Sequence, residues 1–457
     1  MKIRFRDEYT GAELGDARRS ERLAELGMAL AAFPAASFPE ALGDGAGLEA
    51  AYRFFGNEAV EPAAVLEPHF RETAARCEDR AAIIVPHDST DLVFTGKRQG
   101  LGRMRGHKER GFFAHLSLAV SWDTAREPLG VLGLETWIRG RTKTSTPWNT
   151  RLRQTDPDRE STRWLRGVLA VEEKVPRTRT VHVMDREADD YQLFSALIAG
   201  HHRFIVRSKF DRRLEGDGLL GDALSAFATE LVRDVPLTKR RQPLFPSGQK
   251  VHPARDARAA KLAIKAGRVV LQRPNGMKAE VPKHLPINVV VVEELDPPKG
   301  EAPVAWRLYT TEPIQDSAGL ERIVDGYRCR WVVEELFKVL KTGCGIERRQ
   351  LESRHALENA LAVFVPIAWR VLRHRTLAKT YGGNKASLVL SKLQIQLLRR
   401  ASKIRLPRAL TVEDALIAVA ALGGHLKRNG SPGWITLLRG YERLLTLEEG
   451  ARLVGEM

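Results

Sequence analysis

TVHVMDREADDYQLFSALIAGHHRFIVRSK, residues 180–209, is the stretch that decides the fold class. TVHVM (180–184) is a short apolar run with β-branched residues, of strand length. DDYQLFSALIA (189–199) spaces its apolar residues for a helix, and HRFIVRSK (202–209) is a further strand candidate. Strands that alternate with helices mean an α/β core. Upstream, AAIIV (81–85), AHLSLAVSW (114–122) and PLGVLGLETW (128–137) have strand composition. Trp164, Leu165, Val168, Leu169 and Val171 follow helical spacing before Pro176. Downstream, from about 210 to 320, the alternation gives way to β-rich runs, KLAIKAGRVVLQ, INVVVVEEL and AWRLYTT, read as an insertion. The chain turns helical again after 318, through 320–342 and 354–380, and the last stretch holds several helices.

Residues 1–62 read as a small helical unit, broken by Gly and Pro between 34 and 47. Arg18, Arg19, Arg22 and Arg53 are interleaved there with Leu14, Leu23, Leu26, Tyr52, Phe54 and Phe55. Their arginines are either solvated or the face of a small DNA-binding domain. The expected division is 1–62, 63–378 with its insertion, and 379–457. In the last helix Trp434, Leu437, Leu438, Tyr441, Leu444 and Leu445 form one apolar face. That face suits packing on the chain's own core or pairing of two protomers.

The 457 residues carry 73 Lys and Arg against 57 Asp and Glu, a net charge of +16. A strongly basic protein meets a polyanion, and nucleic acid comes first. Residues 203–285 alone hold 18 basic and 8 acidic residues. No apolar run reaches the roughly 18 residues of a membrane span. The first residues, MKIRFRDEYTGAELGD, lack the apolar core of a secretory signal. Cys77, Cys329 and Cys344 are too few and scattered for a disulfide framework or a zinc site. A reducing cytosol is the expected compartment, and no membrane partner is expected. GLGRMRG (100–106) contains G-x-G-x-x-G, but no helix follows to make a dinucleotide site.

Three carboxylates stand out by position. Asp88 follows IIVPH and opens DSTD; Asp185 follows TVHVM and opens DREAD. Each is expected at the carboxyl end of a strand, where α/β proteins place ligands. Glu334 is the third, on YRCRWVVEELFKVLKTG (327–343). That segment reads as one helix, on which Tyr327, Arg330, Glu334, Lys338 and Lys341 make a continuous stripe, with Trp331 beside it. Such a stripe alone is usually a solvated face with weak i,i+4 ion pairs. A carboxylate flanked by cations and aromatic rings also suits a metal-bound phosphodiester. Two divalent ions activate the nucleophile and stabilise the leaving oxygen, and Mg²⁺ takes hard oxygen ligands.

With those residues in hand, the chain resembles the DDE cut-and-paste transposases of bacterial insertion sequences, the group with a Y-x2-R-x3-E-x6-K signature. Tyr327, Arg330, Glu334 and Lys341 keep its spacing, Asp88-Ser89-Thr90 is the DxT element, and Asp185 to Asp189 is DREAD. GDARRSERL (15–23), AYRFFGN (51–57), RFIVRSK (203–209), PPKGEAPVAWRLYTTEP (297–313), RWVVEELFKVLKTGCGIER (330–348) and the aromatic helix near Trp434 extend it in order. The N-terminal region is shorter than in the group, and about 380–430 follows its pattern poorly.

The resemblance implies an RNase H-like catalytic core with a β-rich insertion, flanked by helical N-terminal and C-terminal domains. It implies Asp88, Asp185 and Glu334 as catalytic residues holding two Mg²⁺ ions, with Mn²⁺ able to substitute. It implies transposon-end and target duplex DNA as partners, and a homodimer on paired ends in a bacterial cytoplasm, nucleoid-associated when acting. The implied reaction nicks one strand with water, forms a DNA hairpin by attack of the freed 3′-OH, reopens it, and joins the 3′-OH to target DNA. Trp306 matches the residue that stacks a flipped base, and Trp331 a second aromatic near it. Tyr327, Arg330, Lys338, Lys341, Arg207 and Lys209 match DNA-contacting positions, and Arg18, Arg19, Arg22 and Arg53 the end-binding domain. The competing functions are a stand-alone metal-dependent endonuclease and a non-catalytic DNA-binding regulator.

Overall fold

The computed structural model describes residues 5–43, 45–104, 106–139, 160–237, 255–277, 279–402, 404–426 and 432–455. The chain is mixed α/β and divides into two compact units. One comprises Met1–Thr144, Leu169–Arg179 and Trp331–Met457; the other comprises Ser145–Val168 and Thr180–Arg330. This division differs from the three consecutive segments expected, because both ends of the chain join the first unit.

The first unit begins with α1 (Ala17–Ala32), α2 (Phe38–Leu42), α3 (Gly45–Gly56) and α4 (Pro62–Glu78). Asp16 caps α1 by accepting from the Arg18 N–H, and a Ser37–Glu40 capping box starts α2. The antiparallel strands β1 (Ile83–Phe94), β2 (Gly102–Arg103) and β4 (Pro128–Trp137) all pair with β3 (Arg110–Ser121). The unit closes with α9 (Trp331–Lys338), α10 (Arg354–Thr380), α11 (Lys392–Ala401), α12 (Val412–Leu422) and α13 (Trp434–Gly455). Ser353 caps α10, whose middle stretch, residues 360–369, is apolar all round and therefore lies in the core. Tyr9 bonds from its hydroxyl to the Val363 carbonyl of α10, at 2.8 Å. Gly27 of α1 lies so close to the Tyr9 ring that a Cβ there would stand 2.5 Å from it.

A buried charged network fixes the N-terminus. Glu8 accepts from Arg76 at 2.7 Å and from His69 Nδ1 at 2.5 Å. His69 Nε2 accepts the Val131 N–H at 3.0 Å, so the ring proton is on Nδ1 and the imidazole is neutral. Arg76 also donates to the Leu129 carbonyl and lies 4.3 Å from the Trp369 ring centre. Burial opposes the charge of Glu8, but His69 and Arg76 outweigh it and hold the carboxyl below its usual range. Burial lowers His69 more than Glu8 raises it.

In the second unit β5 (Thr180–Met184) pairs in parallel with β6 (Phe204–Arg207) across α6 (Tyr191–Ala199), as the opening stretch of sequence predicts. Strand β10 (Ala305–Thr310) runs antiparallel to β6, followed by β9 (His284–Leu295), β8 (Arg258–Gln272) and β7 (Thr229–Leu237). These strands account for the β-rich stretch; residues 238–254 of its basic run lie outside the described residues. Phe194 of α6 stacks on Phe204 at 5.9 Å and meets Tyr309 at 5.1 Å. Its remaining helices are α7 (Leu220–Ser225) and α8 (Ser317–Arg328), while α5 (Arg163–Glu172) is divided between the two units after Val168.

Two expectations change. Leu437, Leu438 and Leu444 of α13 are fully buried, Trp434 and Tyr441 nearly so, all in the core of the first unit. The aromatic face is thus spent on the chain's own packing and is not a dimerisation surface. Asp88 is not at a strand end: β1 runs on through DSTD to Phe94, because Val93 and the residues before it complete the pairing with β3. The three cysteines are buried and free, and burial pushes the Cys77 and Cys344 thiols up to about 12, so both are inert packing groups.

Removing Glu8 leaves Arg76 charged and buried. Glu8→Ala is expected to lose about 3–5 kcal/mol in urea unfolding. Both Glu8 and His69 have lowered folded pKa values, so their stabilisation is complete above the ordinary values and is lost on acidification. The loss sets in below 6.5 for His69 and below 4.5 for Glu8. His69→Gln should remove the upper part of that pH dependence in thermal melts.

Candidate active site

In the first unit, Asp88 sits mid-strand opposite Leu116, and its Oδ1 accepts the Ser89 N–H at 2.8 Å. His87 and Ser89 point to the other face of β1. There His87 shares a hydrogen bond with Ser117 and Ser89 shares one with His115, each at 2.9 Å. The two imidazoles stack at 5.8 Å. These reciprocal cross-strand pairs fix the register that decides which way Asp88 faces, since a slip of one residue would reverse it.

Helix α9 buries Val333, Leu336 and Phe337 and carries Glu334 in its first turn, where a carboxylate complements the helix dipole. A π-turn (Val339–Gly343) follows and holds Lys341. The Lys341 ammonium donates to Asp91 of β1 at 2.9 Å and lies 3.9 Å from Glu347. Glu347 in turn accepts the Val93 N–H. Burial raises the Asp91 carboxyl, but Lys341 and His107 outweigh it and hold it below the usual range. Lys338 pairs with Glu335 at 2.7 Å, and Glu335 also meets Arg375. Trp331, at the start of α9, is 54% exposed.

In the second unit, Asp185 stands at the carboxyl end of β5 as expected and caps the following turn by accepting the Glu187 N–H at 2.8 Å. Tyr327, at the end of α8, is buried with its ring 5.4 Å from that of Trp306 on β10. Burial pushes its hydroxyl up; Arg207 and Arg330 oppose this, Arg207 also through a hydrogen bond, and Asp185 adds to it. The charges of Asp185, Arg207 and Arg330 therefore act on one phenol, that of Tyr327, with Trp306 against its ring. Arg207 also donates to the Ala305 carbonyl at 3.1 Å.

The other acids of the DREAD run are structural. Asp190 caps α6, Glu187 pairs with Arg163 at 2.9 Å, and buried Asp189 pairs with Arg212 at 2.5 Å. Asp189 also accepts the Lys209 and Phe210 N–H groups, which is how Lys209 is placed.

The expected continuous stripe does not form. The helix stops at Arg328, where the Cys329 and Arg330 N–H groups turn back to Gly326 and Tyr327, and a new helix starts at Trp331. Tyr327 and Arg330 thus belong to the second unit, and Glu334, Lys338 and Lys341 to the first. Among the described residues, no three His, Cys, Asp or Glu side chains stand close enough together to hold a metal ion. Asp91, Glu335, Glu347 and Asp189 are the partners that sequence reading left out. Asp91 and Asp189 lay within quoted motifs, but only pairing separates a structural from a chemical carboxylate.

In α1 and α3, Arg18, Arg22 and Arg53 are exposed and paired weakly with Asp16, Glu25 and Glu49, while Arg19 donates to the Leu14 carbonyl. Leu23, Leu26, Phe54 and Phe55 of the same helices are buried, so the arginines lie on the outer faces.

Residues 80–364, well over half of the chain, match the family described as the transposase DDE domain. Residues 4–60 match a family described as transposase DNA-binding. The chain belongs to the DDE transposase family. Among solved structures it is similar to the piggyBac transposase in a synaptic complex with hairpin DNA, at 11% identity and a TM-score of 0.31. That match covers 80% of this chain, which spans 57% of the other. No helix among the described residues is long and apolar enough to cross a membrane.

The two aspartates of DREAD make a direct contrast. Asp189→Ala should lose about 3–5 kcal/mol of stability, because it strands a buried arginine. Asp185→Ala should lose no more than the roughly 0.5–2 kcal/mol of a lost cap. Chemical denaturation followed by circular dichroism separates them.

Proposed function

We propose that this chain is a cut-and-paste DNA transposase of the Y-R-E-K group, of the transposon-five type, with an RNase H-like catalytic core. The observation that carries the reading is the DDE-domain match over 80–364, which contains Asp88, Asp185 and Glu334. The gathering of Asp185, Arg207, Tyr327, Arg330 and Trp306 within one unit supports it.

In this reading Asp88, Asp185 and Glu334 are the catalytic carboxylates. Two Mg²⁺ ions, or Mn²⁺, held by them would activate the attacking oxygen and stabilise the leaving one. The donors suit Mg²⁺ in kind, being hard oxygens; the proposal rests on that chemistry and on the family, not on an assembled cluster. Arg207 and Arg330 hold phosphates, and Tyr327, braced by Trp306 and Arg207, keeps that grip in place. Lys338 and Lys341 contact the DNA backbone, Lys341 held by Asp91. Lys209 adds to the same strand, and Trp331 offers an exposed ring. Trp306 stacks a base flipped out of the strained hairpin, worth about 1–3 kcal/mol. The exposed Arg18, Arg22 and Arg53, with the half-buried Arg19, bind the transposon end, and two protomers pair the ends. The reaction is nicking by water, hairpin formation by the freed 3′-OH, reopening and strand transfer, without a covalent enzyme intermediate.

Asp88→Ala, Asp185→Ala and Glu334→Ala should each abolish cleavage of end DNA with Mg²⁺ on a denaturing gel, with binding in gel shift retained. Any one that cleaves normally removes that residue from the catalytic set. Nicks without hairpins or joined products would make the protein an endonuclease instead. Trp306→Ala should slow hairpin formation more than first-strand nicking in a time course; equal slowing would remove its stacking role.

A further inference from the structure

The segment between 381 and 410 holds seven Lys or Arg and no Asp or Glu. It lies outside both matched regions, 4–60 and 80–364. Lys385, Lys392, Arg399, Arg400, Arg405 and Arg408 are all exposed. Among the described residues none of these six pairs with a carboxylate, a strong contrast with the paired arginines elsewhere.

The surface is built, not frayed. A Ser391–Gln394 capping box starts α11, and Gln394 anchors it to Glu448 of α13 at 2.7 Å. The ends of the segment are pinned together: the Ala386 N–H donates to Leu410 at 2.9 Å and the Val412 N–H to Asn384 at 2.8 Å. This brings Lys385 alongside Thr411, next to the turn that carries Arg408. The Arg399 guanidinium then forks onto the carbonyls of Pro407 and Arg408, at 2.9 and 2.8 Å. That clip folds Arg405 and Arg408 back towards the end of α11, where Arg400 sits. Like charges gathered on a fixed surface repel one another, and a polyanion relieves the repulsion.

We propose that this C-terminal surface is a second, sequence-independent contact for the phosphate backbone of duplex DNA. It rests on the reading that the chain acts on DNA, and it adds a surface distinct from the carboxylates and the N-terminal arginines. The cations carry no base-reading amides beside them, so the contact positions the duplex without selecting sequence.

The test is fluorescence anisotropy of the full chain with a short duplex of arbitrary sequence, over a salt series. R400A/R405A/R408A should bind more weakly, with the slope of log K against log salt smaller by about 2–3, at roughly 0.9 for each phosphate left without its cation. Cleavage of end DNA at saturating protein should be unchanged. K385A/K392A, the two lysines of the same surface, should shift the slope in the same direction by about 1–2. R399K keeps the charge but loses the fork, and should fall between wild type and the triple variant. Wild-type slopes in both multiple variants, with melting temperatures unchanged, would overturn the proposal. So would loss of binding to polyglutamate with duplex binding intact, which would make the partner an acidic protein surface. D88A should bind the duplex with the wild-type slope. Cleavage by D88A would overturn its catalytic role while leaving the salt result to stand or fall alone.

Discussion

Glu8 is the residue on which the first unit turns. One carboxylate, fully buried, is shared by an arginine and a neutral histidine of the same helix, α4. Through His69 Nε2 and Arg76 Nε that helix is bonded to the backbone of β4, and through the Trp369 ring it meets α10. Four parts of the chain far apart in sequence are therefore joined by one charge. Buried ion networks of this kind stabilise little when compared with apolar packing, but they tolerate no missing partner. The N-terminal segment is held where each carbonyl, amide and charge finds its counterpart, and Tyr9 and Gly27 then set α1 against α10.

Pairing of the same kind shapes the candidate site. Acidic residues crowd the DREAD run, and most of them are occupied by caps and ion pairs that shape the turn after β5. Asp185 caps a turn as well, and its charge acts on the buried phenol of Tyr327. In the first unit the lysine of the signature is tied to Asp91 of β1, so the π-turn after the helix of Glu334 is joined to the strand of Asp88 by an ion pair.

Much of this was legible in the sequence because it depends on local pattern. The run from 180 to 209 reads as strand, helix and strand, and it folds as a parallel pair across a helix. The β-rich stretch and the helices before residue 62 follow from period and from Gly and Pro placement. The stripe from Tyr327 to Lys341 misled for an equally physical reason. Residue spacing assumes an unbroken helix, and a tightened turn at Cys329 and Arg330 breaks it. Periodicity likewise cannot tell an apolar face buried at home from one offered to a partner, and in α13 the chain's own core takes it.

By itself, then, the sequence determined the fold class, the kind of chemistry its carboxylates and cations suit, and the polyanion implied by its charge. These follow from composition, from periods of two and 3.6, and from motif order, all of which a linear chain carries. Tertiary structure alone decided which acids are caps and which are ion-pair partners, as Asp185 and Asp189 show. It alone placed Asp88 in mid-strand, sent Tyr327 to Trp306, and folded the C-terminal cations onto one pinned surface. The reason is that pairing and burial are set by residues distant in the chain, and no local pattern encodes who meets whom.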